Sequence, residues 1–164
     1  MLNFSELSER EVLALAVSLE EEDSRLYRDI AEALRSDHPA SATLFEAIAE
    51  EEDEHRHRLL DLYRARFGDH IPLLRRADIR GFVKRSPVRS GARFTPDEAR
   101  QRAEIMEAET RRFYLEAAQR ASDTAIRQLL GDLAAEEGRH EVSTAVCLAS
   151  ATMAISLHPS RSLN

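Results

Sequence analysis

At 164 residues the chain has the length of one ordinary domain, enough to bury a core and too little for two. Alanine, leucine, glutamate and arginine dominate, with five glycines, five prolines and no tryptophan, a helix-forming composition that makes an all-α protein the expectation. The formal net charge of −7 argues against a nucleic-acid binder, and the single cysteine, Cys147, excludes an intramolecular disulfide and any CxxC zinc or rubredoxin-type knuckle.

The chain opens on an acidic stretch, "MLNFSELSEREVLALAV", without the basic start and apolar core of a secretory signal. With the lone cysteine, this points to a reducing cytoplasm. Apolar recurrence at three and four residues then predicts a first helix over about 8–34, opened by a Ser8/Glu11 capping box and stopping near "RSDHP". A second, over about 40–66, is entered through Pro39 and ended by Gly68. The stretch "HIPLLRRADIRGFVKRSPVRSGARF" (70–94) is too long for a hairpin turn and too apolar at "IPLL" and "GFV" for a bare linker, so it reads as a crossover. A third helix is expected over about 96–121, with Thr95 as N-cap and Pro96 in the first helical position, and a fourth over about 123–151. Residues 1–151 are the expected domain and 152–164 a tail. Two helix hairpins joined by one long crossover is the connectivity of a ferritin-like four-helix bundle, in which metal sites lie between facing helices.

Two similar halves of such a bundle should align, and they do. "AVSLEEEDSRLYRDIAEA" (16–33) lies over "AEIMEAETRRFYLEAAQR" (103–120) without a gap, placing Glu20 on Glu107 and Tyr27 on Tyr114. "IAEEEDEHRH" (48–57) lies over "LAAEEGRHEV" (133–142), placing Glu52 on Glu137 and His55 on His140. In the second helix Leu44, Ile48, Glu52, His55, Leu59 and Leu62 follow steps of four and three along one face, so Glu52 and His55 interrupt an apolar stripe. The fourth repeats the pattern with Ile126, Leu130, Leu133, Glu137, His140, Thr144 and Cys147. Carboxylates and imidazoles facing a core are costly unless something balances them, and at Glu-x-x-His spacing a divalent metal is the common remedy. Glu20 and Glu107 add two carboxylates from the facing helices. Oxygen ligands with one imidazole per metal suit iron or manganese, and zinc or cobalt can occupy such a site in a purified sample. The competing reading is a buried hydrogen-bonded network without metal, against which the matched repeat positions weigh.

Other candidates are weaker. Glu54 and His57 have the same spacing but lie off the stripe, and read as a solvated pair. Glu21, Glu22, Glu50, Glu51, Glu109 and Glu136 read as a solvated face. Tyr27 and Tyr114 are either core aromatics or phenols that hydrogen-bond a ligand carboxylate. Asp23 and Glu104, each one turn from a proposed ligand, are candidates for an additional carboxylate.

At "EEEDSRLY", "EEDEH", "MEAETRRFY" and "AAEEGRH" the sequence resembles the rubrerythrin-like branch of the ferritin superfamily over nearly all of residues 8–150. It is most similar to the ferritin-like domain of membrane-anchored bacterial ferritin-like proteins. The resemblance implies Glu20, Glu52, His55, Glu107, Glu137 and His140 as ligands of two iron ions, and these six with Tyr27 and Tyr114 are the expected catalytic residues. It implies oxidation of Fe(II) by peroxide or oxygen, as a peroxide reductase or ferroxidase in iron or oxidative-stress homeostasis. The alternative is a non-enzymatic iron-binding or sensing module that regulates an iron-transport partner. The family's best-known enzymes carry a rubredoxin domain, which one cysteine cannot build, so an external electron donor is implied. The segment "VSTAVCLASATMAISL" (142–157) falls short of a membrane span of about 20 apolar residues and reads as the helix end and tail of a soluble chain, or of one cut before a membrane segment. Arginine stands in for lysine everywhere but Lys84, which hints at a GC-rich bacterial genome.

The crossover is basic through Arg75, Arg76, Arg80, Lys84, Arg85, Arg89 and Arg93, against the one acid Asp78. Such a stretch attracts an anionic membrane surface or nucleic acid, but a solvated linker offsetting the acidic helices is the expected role. Neither hairpin alone can bury its apolar stripe, and an extended connection delivers the second hairpin to its own partner or a neighbour's at similar cost. A homodimer is therefore expected, with exchange of helix pairs as one arrangement the crossover allows.

Overall fold

The computed structural model describes residues 2–82, 88 and 93–139. The protein is all-α, a bundle of four helices in which α1 packs on α2 and α3 on α4, as the periodicity predicts. Helix α1 (Glu9–Leu34) begins at Ser8, whose hydroxyl accepts from the Glu11 amide at 3.3 Å while the Glu11 carboxylate accepts from the Ser8 amide at 2.8 Å. Helix α2 (Pro39–Phe67) starts on Pro39, where the missing amide hydrogen costs nothing, and stops at Gly68, whose φ of 79° is open to glycine and strained for other residues. Helix α3 (Pro96–Arg120) opens with a second capping box, Thr95 with Glu98. Helix α4 is described over 124–139, its first turn capped by Asp123, which accepts from the amides of Ala125 at 2.8 Å and Ile126 at 3.1 Å. Its expected continuation to residue 151 lies outside the described residues.

The interior is apolar at both ends and polar between. One cluster gathers Leu13, Leu59, Tyr63, Phe113, Leu130 and Leu133, and the other Leu26, Ile30, Leu34, Phe45, Ile48 and Met106. The gap between them falls at Glu20–Ser24 on α1, Glu52–His55 on α2 and Glu107–Thr110 on α3. Each fully buried leucine or phenylalanine contributes about 1.5–3 kcal/mol. The two clusters together thus sustain a layer of buried acids that would not form by itself.

Over its described residues 70–82 the crossover is more than the solvated linker expected from its charge. Ile79 and Arg76 are buried, and Leu2 pairs with this stretch as an isolated parallel bridge, with Leu2 N donating to Asp78 O at 2.8 Å and Arg80 N to Leu2 O at 2.9 Å. The Tyr63 hydroxyl donates to His70 O at 2.8 Å and accepts from Arg10 Nε at 2.8 Å, so the crossover is pinned to α1 and α2 where it starts. The reason is chemical: an arginine enters the interior when acids meet it there, and α1 and α3 present them. Arg75, Arg80 and Arg93 are exposed, while Lys84, Arg85 and Arg89 lie outside the described residues. Among the described residues no helix is long and apolar enough to cross a membrane, and 142–157 is not among them.

Candidate metal centre

Steps of three and four along each helix turn one acid into the polar layer from every side of the bundle. Glu20 of α1, Glu52 of α2, Glu107 of α3 and Glu137 of α4 are at most 2% exposed, and His55 of α2 is 3% exposed. Ligand atoms of Glu20, Glu52, His55 and Glu137 all lie within 4.8 Å of one another. His55 Nδ1 is 3.3 Å from Glu52 Oε2, 3.4 Å from Glu137 Oε1 and 3.9 Å from Glu20 Oε2.

The other imidazole nitrogen explains why Nδ1 faces the acids. His55 Nε2 stands 2.9 Å from Glu136 Oε2, and Glu136 in turn accepts from Arg58 Nη1 at 2.7 Å. An acid on Nε2 holds the proton there, leaving the Nδ1 lone pair towards the carboxylates. Partial burial would raise the Glu136 carboxyl, but the hydrogen bond and charge of Arg58, together with His55, hold it below the ordinary glutamate range.

The residues fit a divalent metal. Glu20 Oε2 is buried without a hydrogen-bond partner, and at 3.9 Å from His55 Nδ1 it is too distant to form one there. Three carboxylate oxygens and one imidazole nitrogen converging in a dry interior form the donor set of a hard or borderline cation. Burial first, then the charges of Glu20 and Glu137, push the Glu52 carboxyl well above its usual range, which is how carboxylates crowded into low dielectric respond without a cation among them.

Two phenols brace this layer across the bundle. The Tyr27 hydroxyl of α1 donates to Glu107 Oε1 of α3, and the Tyr114 hydroxyl of α3 donates to Glu20 Oε1 of α1. The tyrosine of each half thus holds the glutamate of the other. Burial, then the charge of the bonded glutamate, raises both phenols well above the ordinary tyrosine range, so they remain donors across the neutral range. Tyr114→Phe is expected to leave the fold and metal stoichiometry intact and to weaken metal affinity by about 10–100-fold, the usual result of removing a group that orients a ligand. Equilibrium titration with Co(II) measures it, and an unchanged affinity would reduce Tyr114 to a core aromatic.

The remaining candidates sort by their surroundings. Glu107 is buried on Tyr27, close enough for its charge to raise Glu52, while His140 lies outside the described residues. Asp23 is buried beside the layer on Thr110 and Arg76 rather than in the His55 group. Glu104 is half-buried and pairs with Arg100 at 2.5 Å. Glu54 and His57 are exposed, as are Glu50 and Glu51, while Glu21 and Glu22 are half-buried. Glu109 and Glu136 depart from the expected solvated face: Glu109 is buried on Arg76, and Glu136 is half-buried on His55. Both lie beside the inward stripe, where helical periodicity alone assigns them to solvent.

The Rubrerythrin family model matches residues 11–145. A crystal structure of an uncharacterised conserved protein from Magnetospirillum magnetotacticum MS-1 is similar at a TM-score of 0.72 and 25% identity, covering 96% of this chain and 100% of that one. A hypothetical protein from Pyrococcus furiosus shares the fold at a TM-score of 0.69 and 21% identity, over 87% of this chain and 89% of that one. None of the curated proteins matches the chain. The family match spans all four helices and every residue of the buried acid layer, and on that ground the chain belongs to the Rubrerythrin family.

Proposed function

We propose that this chain is a di-iron carboxylate protein that oxidises Fe(II) with peroxide or oxygen, as a peroxide reductase or ferroxidase. The observation that carries the reading is the buried ring of Glu20, Glu52 and Glu137 oxygens around His55 Nδ1, in a chain of this family. Glu20, Glu52, His55 and Glu137 would hold iron where their ligand atoms converge, and the internal repeat offers Glu107 and His140 as the further ligands of a second ion. Two iron(II) ions, if bound there, would supply two electrons together: enough, with two protons, to take one peroxide to two waters without release of a radical, and to take oxygen only as far as peroxide. The chain's own residues prepare that step. Four carboxylates balance the cations, Tyr27 and Tyr114 keep Glu107 and Glu20 in place, and Glu136 with Arg58 fixes the imidazole. Apolar clusters close the layer at both ends against water. Repeated turnover needs an electron donor, since each oxidation leaves Fe(III) that must be reduced again.

The test is anaerobic loading with Fe(II) followed by peroxide, with and without an added reductant. Two irons bound per chain, Fe(III) absorbance growing at one peroxide per two irons, and turnover with the reductant are the expected results. Tight binding of two irons without oxidation would instead make the chain an iron-binding or sensing module.

We also propose a homodimer. Mixing Glu20→Ala/Glu52→Ala chains with Glu107→Ala/Glu137→Ala chains and refolding them together restores metal binding in part of the population if helix pairs are exchanged, because one site then collects every mutation and the other none. Dimers without restored sites mean unexchanged bundles, and light scattering that finds only monomer overturns the dimer.

A further inference from the structure

Among the described residues four large apolar side chains are exposed. Leu2 and Leu73 lie in the N-terminal segment and the crossover, and the other two, Ile105 and Leu115, are both on α3. Ile105 is 62% exposed and Leu115 45%. Ala103, Met106, Phe113 and Ala117 already supply the core side of α3, so these two belong to its outer side. The outer sides of α1, α2 and the described part of α4 carry no counterpart.

A pattern joins the two. Gln101, Ile105, Ala108, Arg112, Leu115 and Gln119 are all exposed, and steps of four, three, four, three and four put them in one stripe along the outside of α3. The stripe is symmetric about its midpoint, which is level with Thr110. Outward from there come Ala108 on one side and Arg112 on the other, then a branched aliphatic residue on each side, then a glutamine on each. A two-fold axis perpendicular to α3 at this level lays a second copy antiparallel on the first. It pairs Ile105 with Leu115 and Gln101 with Gln119, each pair occurring twice. Ala108 then faces Arg112 of the second copy and leaves room for its apolar stem, while Glu104, one turn from Ala108, offers the guanidinium an opposite charge. A parallel copy would instead set Arg112 against its own like charge.

We propose that two copies of this chain associate through this outer stripe of α3, antiparallel about the level of Thr110. The inference deepens the homodimer proposed above and rests on it. An interface between identical chains about a two-fold axis must be complementary to itself, and a stripe that repeats its own chemistry in reverse meets that condition. A different protein would place no such symmetry on α3. Glu107 and Thr110 belong to the buried polar layer, so the axis runs level with that layer, and the layers of the two copies face each other across the paired helices.

The test uses the full chain with Cys147→Ser, so that the native thiol takes no part. Three variants are made in it, Ile105→Cys, Leu115→Cys and the Ile105→Cys/Leu115→Cys double variant, and each is oxidised mildly and run on a non-reducing gel. The double variant is expected to form disulfide-linked dimers. The single variants should not, because equivalent residues of antiparallel copies stand about 15 Å apart along the helix, ten residues of rise, and a disulfide spans no more than about 7 Å between Cα atoms. In parallel, Ile105→Glu and Leu115→Glu in the wild-type chain should each weaken the dimer about tenfold or more by sedimentation. Both positions are exposed, so circular dichroism and melting temperature should stay as in wild type. Ala47→Glu, on the outer side of α2, should leave the dimer unchanged.

Single cysteine variants that cross-link as well as the double variant overturn the antiparallel register. A dimer that persists in both glutamate variants forms through another face, exchanged hairpins included, and overturns the inference while leaving the homodimer in place. Glutamate variants that melt lower with no change in oligomeric state mean that the stripe is covered by the chain's own remaining residues, which also overturns it. Wild-type chain that scatters only as monomer overturns the homodimer itself, and is distinguishable from the other outcomes.

Discussion

Replacing Glu52 or Glu137 by alanine is expected to weaken metal binding by more than about 100-fold, beyond the usual 10–100-fold cost of losing a group that only orients a ligand. Glu54→Ala, two residues from Glu52, should change it no more than about twofold, as for a surface substitution. The contrast follows from placement. Glu52 and Glu137 reach within 3.4 Å of His55 Nδ1 in the buried layer, whereas Glu54 is exposed on the opposite face of α2. Neither ligand variant should unfold the chain, because alanine removes a carboxylate whose burial the apo-protein bears as a cost. Titration with Fe(II) or Co(II) beside circular dichroism decides the matter, and equal losses in all three variants would show that the inward face is misassigned.

Metal loading is expected to raise the melting temperature substantially, and the gain should shrink in acid. An ion present at a hundred times its dissociation constant stabilises by about 2.7 kcal/mol, roughly 5–10 °C for a chain of this size. The sign of the pH dependence comes from Glu52, whose carboxyl is raised well above its usual range first by burial and then by Glu20 and Glu137. A carboxyl raised in the native state binds a proton that the unfolded chain gives up. Its contribution to apo stability is fully present below the unfolded value of about 4.3 and is lost as pH rises through the raised native value. Acidification across that window therefore steadies the apo-protein while protons displace metal from the loaded form. Melting curves with and without chelator at pH 5 and pH 8 should show the larger gap at pH 8. A melting temperature at pH 8 that ignores the chelator would count against a buried site.

How much of this was legible beforehand depended on whether a feature is local to one helix. The start of α1 was readable because a capping box is complete within four residues, that of α3 because Thr95 and Pro96 stand side by side as N-cap and first helical residue, and the end of α2 because Gly68 occupies a conformation strained for other residues. The inward placement of Glu20, Glu52, His55, Glu107 and Glu137 was readable because the periodicity of a helix states which side chains share a face, and the internal repeat states it twice. That Tyr27 and Tyr114 face inward follows from the same rule. Their exchange of partners, each holding the glutamate of the other half, does not, since the contacts span 80 and 94 residues and exist only when α1 lies against α3. Glu136 shows the same limit: it sits beside the stripe, and only the approach of α2 to α4 makes it the acid that orients His55. Arg76 had no signal of its own among the crossover's basic residues, and Glu109, two residues from Glu107, looked like solvent face. They became buried together because each neutralises the other where the crossover lies against α1 and α3. The sequence by itself therefore determined the helices, their inward faces and the acids those faces carry, because these are properties of one segment and its period. The tertiary structure alone decided which acid meets which imidazole, phenol or guanidinium, because such a pairing is a distance between segments remote in the chain, and no periodicity within either of them contains it.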